Sequence, residues 1–142
     1  GLPKTASTFF FMSKGIDDGP IIDKRIIKIR KTDNANSIYL KLLQVIPLQI
    51  ESILKGIRDN TLNMSYQDEA LANTWRKRSK LDGLIDWRMS SKSIYDLVRG
   101  LSSPYVGAHF LCQEEEVKVW NCKIKKKRLV KYRTGQNPKE KR

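Results

Sequence analysis

The chain has 142 residues, of which 39% are hydrophobic and 30% charged, so its composition excludes a disordered or fibrous protein and its length suits one domain or two small halves. The longest apolar runs, near residues 6–12 and 45–50, are far shorter than the ~20 residues that span a bilayer, so we predict no membrane segment and no membrane partner. The net charge of +13 is concentrated in residues 123–142, which hold ten Lys or Arg and one acidic residue. Such a tail either attracts polyanions or only keeps the chain in solution.

The first elements in the chain are two strands. Residues 5–12 are rich in β-branched and aromatic side chains and predict a strand. Residues 13–20, SKGIDDGP, hold two glycines, two aspartates and a proline, and predict a turn. Residues 21–30, IIDKRIIKIR, predict a second strand.

A long helix is predicted next. Apolar residues keep helical spacing from about residue 34 to residue 57, and Thr32 or Asp33 can cap the start. Pro47 lies inside this run and predicts a kink or break near residues 44–46. The polar residues 58–72 predict a connecting segment.

The second half of the chain predicts a shorter set of elements. We expect a short strand at 84–89 and a helix capped by Ser90 or Ser91 that runs to about residue 101. Residues 108–112 and 117–124 then predict a hairpin around an acidic tip. A last strand is expected at 128–132.

Two groups of charged side chains are candidates for chemistry. Asp17 follows a strand in a glycine-rich turn, where a carboxylate can orient a histidine or accept a proton from an amine; the alternative is that it only stabilises the turn. Arg76 and Arg78 belong to a basic cluster that can pair with phosphate or carboxylate, or can be an exposed linker.

The remaining reactive residue types predict little chemistry. His109 is the single histidine and lies in a predicted strand, which favours a structural role. Cys112 and Cys122 are too few for a disulfide framework or a zinc site, so we predict no metal and a reducing, cytoplasmic location.

Three blocks in the chain resemble the folate-dependent formyltransferases, which include methionyl-tRNA formyltransferase and bacterial sugar N-formyltransferases. They are FFFMSKGIDDGPII (9–22), the long helix, and RKRSKLDGLIDWRMSSKSIYDLVRGLSSPYVGAHF (76–110), and they keep the order and spacing of the family. The resemblance covers about residues 3–124. It implies an α/β fold: the carboxyl-terminal portion of a Rossmann-like formyltransferase domain at 1–75, then a small, mostly β, OB-like domain with the basic tail at 76–142.

The resemblance also implies a reaction. An amine attacks the formyl carbon of 10-formyltetrahydrofolate, a His and an Asn stabilise the oxyanion, and Asp17 assists proton transfer as the catalytic aspartate of the family's turn. The family's Asn-x-His motif precedes the first block, and His109 does not match it, so we expect the 142 residues alone to be inactive.

The acceptor has two alternatives. The sequence of residues 75–89 and 104–110 looks more like that of the sugar N-formyltransferases, whose acceptor is a nucleotide-linked amino sugar. We therefore favour an amino sugar as the acceptor. The basic tail would equally suit initiator tRNA, and a non-catalytic basic binding module derived from such an enzyme stays open. The oligomeric state is left open, with a homodimer among the alternatives.

Overall fold

The fold is described for residues 1–125 of a computed structural model. The content is mixed α and β, as predicted. The strands and α-helices are, in chain order, β1 (Lys4–Phe10), β2 (Ile21–Lys28), α1 (Ala35–Arg58), α2 (Ser91–Gly100), β3 (Ala108–Cys112) and β4 (Glu115–Val119). Short 3₁₀ helices lie at Glu69–Leu71 and Lys80–Gly83. The strand expected at 128–132 and most of the basic tail lie outside the described residues.

Strands β1 and β2 form an antiparallel pair, close to the predicted bounds. The register pairs Lys4 with Lys28 and slips by one residue after Phe9. The buried face is set by alternation, since Ile27 is 5% exposed whereas Ile26 is 64% exposed. The slip is a β-bulge at the end of the pair that leads into the turn, and such irregularities re-aim the chain that follows.

Helix α1 begins one residue later than its predicted caps. Asn34 is the N-cap: its side chain accepts from the Ser37 N–H at 2.9 Å, and the Ser37 hydroxyl accepts from the Asn34 N–H at 3.0 Å. Asp33 was a predicted cap, but its carboxylate accepts instead from the Arg30 N–H at 2.6 Å and from Lys41. The cap prediction was therefore wrong by one residue.

Pro47 does not break the helix, which runs without interruption through it. The proline removes one backbone donor, and the carbonyl that loses its partner belongs to Leu43, four residues earlier. Both residues are exposed, so water can satisfy that carbonyl. The predicted break was wrong because the missing bond lies on the solvent side.

A buried glutamine joins α1 to the strand pair. Gln49 is wholly buried, and its Nε2 donates to the Ser7 carbonyl at 3.3 Å and to Asp23 Oδ1 at 2.5 Å. A buried amide without partners costs roughly 1–3 kcal/mol, so these bonds specify where along the strands the helix sits.

Among residues 1–125, α1 is the one helix long and apolar enough, by length and composition, to cross a membrane. The sequence did not predict this helix as a membrane candidate, because Lys41, Gln44 and Pro47 interrupt its apolar residues. Only 6% of the apolar window in this helix is buried within the described residues, although Gln49 of α1 is buried against the β1–β2 pair. The finding does not by itself indicate a membrane protein.

The second half has its own small core around α2. Ile85, Val98 and Ala108 are buried there. Six partly buried apolar residues pack around them: Ile94, Leu97, Leu101, Phe110, Val119 and Cys122. Ser90 caps α2 by accepting from the Ser93 N–H at 3.1 Å, which confirms the predicted start.

The strand predicted at 84–89 is reduced to one bridge between Leu84 and His109. The Asp86 carboxylate accepts from the Arg88 N–H at 2.9 Å, which turns the chain two residues later. The hairpin of β3 and β4 is confirmed with a tighter loop, because Gln113 and Glu114 both have positive φ (49° and 71°), as in a type I′ turn.

The end of α2 holds the chain just before α1. Arg99 donates to the Asp33 carbonyl at 2.9 Å, and the Ser102 hydroxyl accepts from the Ala35 N–H at 3.3 Å. These contacts, 66 and 67 residues apart in sequence, connect the two halves.

The Asp33 carboxylate predicts a pH dependence of stability. Lys41, followed by the Arg30 N–H, lowers the pKa of Asp33 from 3.8 to about 2. A carboxyl whose folded pKa is depressed stabilises the fold above its unfolded pKa, and this contribution is lost as the pH falls from about 4 through about 2. We expect the melting temperature of Asp33→Asn to fall less steeply over that range than that of the unsubstituted protein, measured by circular dichroism. Parallel curves would contradict the assignment.

Candidate functional site

The predicted catalytic turn lies between β1 and β2 and is called here the aspartate turn (residues 11–20). Its base is closed by a hydrogen bond from the Phe11 N–H to the Pro20 carbonyl, at 3.0 Å. Asp17 has a left-handed backbone with φ of 55°, a conformation that Asp adopts more readily than most other residues. The turn therefore presents Asp17 at its exposed tip.

The two adjacent carboxylates of the turn have different surroundings. Asp18 accepts a hydrogen bond from the Ser13 hydroxyl, within the turn itself. The side chain of Asp17 has no hydrogen-bond partner among residues 1–125 and is exposed. Of the two, Asp17 is the carboxylate that is available to another group.

Gly19 is required by the close approach of the two ends of the turn. A Cβ at this position would overlap the Phe11 carbonyl oxygen. Backbone atoms cannot swing aside as a side-chain end can, so any larger residue here must open the turn.

A distant segment holds the other side of the aspartate turn. Ser65 pairs with Ile21 through two backbone hydrogen bonds of 2.7 and 2.9 Å. Two residues later, Nε2 of Gln67 donates to the carbonyls of Asp17 and Gly19, both at 2.8 Å. No sequence pattern pointed to Gln67, which is 50 residues from Asp17 and lies in a polar connecting segment.

The structure does not join Arg76 and Arg78 to the aspartate turn by any bond within residues 1–125. Arg76 makes a two-pronged ion pair with Asp82, and both the hydrogen bond and the charge of Asp82 raise the pKa of Arg76. Arg78 lines a cavity of about 570 Å³ together with Asp96, Arg99 and Tyr105. Arg78 is therefore the better placed of the two for a ligand.

His109 lies on a different sheet from the aspartate turn. It is 4% exposed in β3, and its Nε2 is 3.9 Å from Glu116 Oε2. Hydrogen bonds from Lys80 and Lys118 lower the pKa of Glu116 to about 2. This arrangement does not bring a histidine to Asp17.

Both cysteines are free thiols. Cys112 is exposed, and partial burial raises the pKa of the Cys122 thiol. Neither side chain takes part in the aspartate turn.

Residues 77–136 match the family model described as formyl transferase, C-terminal domain. Over 124 residues the chain is 33% identical to the bifunctional polymyxin resistance protein ArnA of Wigglesworthia glossinidia brevipalpis, covering 87% of this chain and 19% of ArnA.

Two solved structures have a similar fold. Methionyl-tRNA formyltransferase from Clostridium thermocellum superimposes with a TM-score of 0.71 at 19% identity, over 87% of this chain and 52% of that one. The N-formyltransferase from Helicobacter canadensis, in complex with folinic acid and dTDP-3-aminofucose, gives a TM-score of 0.61 at 23% identity, over 68% and 36%.

The chain thus spans about a fifth of ArnA and about half of the methionyl-tRNA formyltransferase. The domain match, the identity to ArnA and the shared fold agree with one another and with the motifs in the sequence. This chain belongs to the formyltransferase family.

Proposed function

We propose that the protein transfers a formyl group from 10-formyltetrahydrofolate to the amino group of a nucleotide-linked amino sugar, with Asp17 as a catalytic residue. The observation that carries the proposal is the aspartate turn, which leaves Asp17 exposed at its tip while Asp18 is bonded within it. The 33% identity to ArnA over 124 of the 142 residues also supports the proposal. Because relatives are longer than this chain, the activity is proposed for a catalytic unit that also holds the oxyanion donors.

In the proposed reaction, the role of this chain's aspartate turn is proton transfer. The acceptor amine attacks the formyl carbon, its nitrogen gains positive charge, and a proton must leave that nitrogen. The tetrahedral oxyanion then collapses, the bond from the formyl carbon to the folate nitrogen breaks, and that nitrogen takes up a proton as tetrahydrofolate leaves. An exposed carboxylate such as that of Asp17 can take this proton or stabilise a protonated histidine that does so. Asp17 cannot stabilise the oxyanion, since its own charge is negative, so those donors must come from other residues.

The amino-sugar acceptor is favoured over tRNA because the sequence of residues 75–89 and 104–110 resembles that of the sugar N-formyltransferases. The Helicobacter canadensis structure, which has a similar fold, contains an amino-sugar nucleotide. Initiator tRNA is the second candidate, supported by the fold of the Clostridium thermocellum enzyme and by the net charge of +9 in residues 123–142. A non-catalytic binding module is the alternative that lacks a reaction altogether.

Arg78 is the proposed contact for an anionic part of a ligand, since it lines a cavity and makes no ion pair with residues 1–125. Arg76 is a weaker candidate because Asp82 occupies its guanidinium. The proposed boundary between the two domains lies between residues 75 and 76, with a Rossmann-like domain before it and an OB-like domain after it. The matched carboxyl-terminal domain begins at residue 77. A cytoplasmic location, supported by the two free thiols, and a homodimer stay predictions.

A direct assay tests the proposal. The full-length gene product is incubated with 10-formyltetrahydrofolate and, side by side, with amino-sugar nucleotides or initiator methionyl-tRNA. We expect tetrahydrofolate release and a formylated product with an amino-sugar nucleotide. Turnover with the tRNA alone would replace the proposed acceptor by the second candidate, and no turnover with either would favour the binding module.

A further inference from the structure

Gln67 is bonded to the aspartate turn in a way that accounts for both hydrogens of its amide nitrogen. One hydrogen is directed at the Asp17 carbonyl and the other at the Gly19 carbonyl, each with an N···O distance of 2.8 Å. A primary amide nitrogen has two hydrogens, so its donor capacity is filled by the turn. The side chain acts as a clamp across the residues that follow Asp17.

The two carbonyls belong to the stretch of backbone that sets the direction of the Asp17 Cα–Cβ bond. Fixing the Asp17 carbonyl fixes the peptide plane that follows its Cα, and fixing the Gly19 carbonyl fixes the plane two residues on. Asp17 has φ of 55°, which costs free energy for any residue other than glycine and persists only where the surroundings impose it. Gln67 supplies that constraint from outside the turn.

Gln67 is itself held on both sides. Ser65, two residues before it, pairs with Ile21 at the start of β2. Asp68, directly after it, caps the 3₁₀ helix Glu69–Leu71 by accepting from the Ala70 N–H at 3.0 Å. The backbone that carries Gln67 is thus attached to the same strand that follows the aspartate turn.

From this geometry we propose that Gln67 is a positioning residue for catalysis, which holds Asp17 in its left-handed conformation so that its carboxylate faces the reacting amine. The inference rests on the proposed function of Asp17 and goes beyond it, because Gln67 touches neither substrate nor the reacting atoms. Its effect is exerted through the backbone of the turn.

The test uses the full-length protein with Gln67→Glu, which keeps the size of the side chain but replaces the donor nitrogen by an oxygen that repels both carbonyls. A misplacement of about 1 Å can cost on the order of 10²-fold in rate, so we expect kcat to fall by about 10- to 100-fold with KM nearly unchanged. Gln67→Met, which removes the donor without adding charge, should show a similar loss. Gln44→Glu makes the same chemical change at an exposed position of α1 and should leave kcat unchanged.

A double-substitution cycle separates positioning from general damage. If Gln67 acts through Asp17, Gln67→Glu should cost less than about threefold in an Asp17→Asn background. A full, additive loss in that background would overturn the inference while leaving Asp17 as proposed. Wild-type kcat in both Gln67 variants would overturn it as well.

Hydrogen exchange gives a readout that does not depend on turnover. The amides of Phe11 and Ile21, which donate to the Pro20 and Ser65 carbonyls at the base of the turn, should exchange faster in Gln67→Glu than in Gln44→Glu, with exchange in α2 unchanged. Equal exchange of the turn in the two variants would refute the clamp itself. A protein that shows the faster exchange but no formyl transfer would retain the clamp and contradict only the proposed function.

Discussion

Replacing Asp17 by Asn in the full-length protein should lower kcat by ~10²–10⁴-fold. The amide keeps the shape of the side chain, so the turn should form, but it can neither accept a proton at neutral pH nor stabilise a protonated histidine. That loss corresponds to ~3–5 kcal/mol of transition-state stabilisation. It should fall on kcat far more than on the KM for the folate donor, because the charge matters most as the amine loses its proton.

Asp18→Asn is the matched control in the neighbouring position. The Asp18 carboxylate accepts from the Ser13 hydroxyl, and an amide oxygen can accept the same bond. We therefore expect kcat within about threefold of the unsubstituted protein. Equal losses in the two variants, or a greater loss at Asp18, would mean that the catalytic assignment is shifted by one residue or that the turn is only structural.

Gly19→Ala should abolish the native geometry of the aspartate turn. The new Cβ would overlap the Phe11 carbonyl oxygen, and the backbone must move to admit it. We expect a loss of ~1–3 kcal/mol in the free energy of unfolding and a fall of at least about 10²-fold in kcat. Thermal unfolding and steady-state kinetics on the same sample measure the two effects.

Gly15→Ala is the control for this substitution because it lies in the same turn. The atoms that its Cβ would meet belong to the Asp18 side chain, which is exposed and can rotate away. Stability and kcat should both change little. If Gly15→Ala is as damaging as Gly19→Ala, the closure at Phe11 is not what makes Gly19 necessary.

Local patterns in the sequence predicted most of the elements correctly. The alternation in residues 21–30, the helical spacing after residue 34 and the serine before α2 each depend on near neighbours in the chain, which the sequence displays directly. Two of the errors arose where an aspartate side chain accepts from a backbone N–H two or three residues away. Asp33 binds the Arg30 N–H and Lys41 rather than capping α1, and Asp86 turns the chain where a strand was expected.

The candidate site was predictable only in part. Asp17 was predicted as a catalytic residue from the motif by which the chain resembles the family, and this role stays a prediction; the same motif contains Gly19, which the turn needs. The partner Gln67 was not identifiable, because a hydrogen bond between residues 50 positions apart leaves no periodic trace in one sequence. The two arginines looked equivalent in the sequence, and they were distinguished by the ion pair of Arg76 with Asp82 and by the cavity that Arg78 lines.

The sequence by itself determined the family resemblance, the strand–turn–strand around Asp17 and the concentration of positive charge in residues 123–142. These features depend on residue type and short spacing, which folding does not alter. Only the tertiary structure decided which carboxylate of the turn is hydrogen-bonded within it, which arginine lines a cavity and which distant amide holds the turn. Each of those features depends on which polar groups form hydrogen bonds or ion pairs in the folded chain. Many of those partners are distant in sequence, so one sequence does not reveal them.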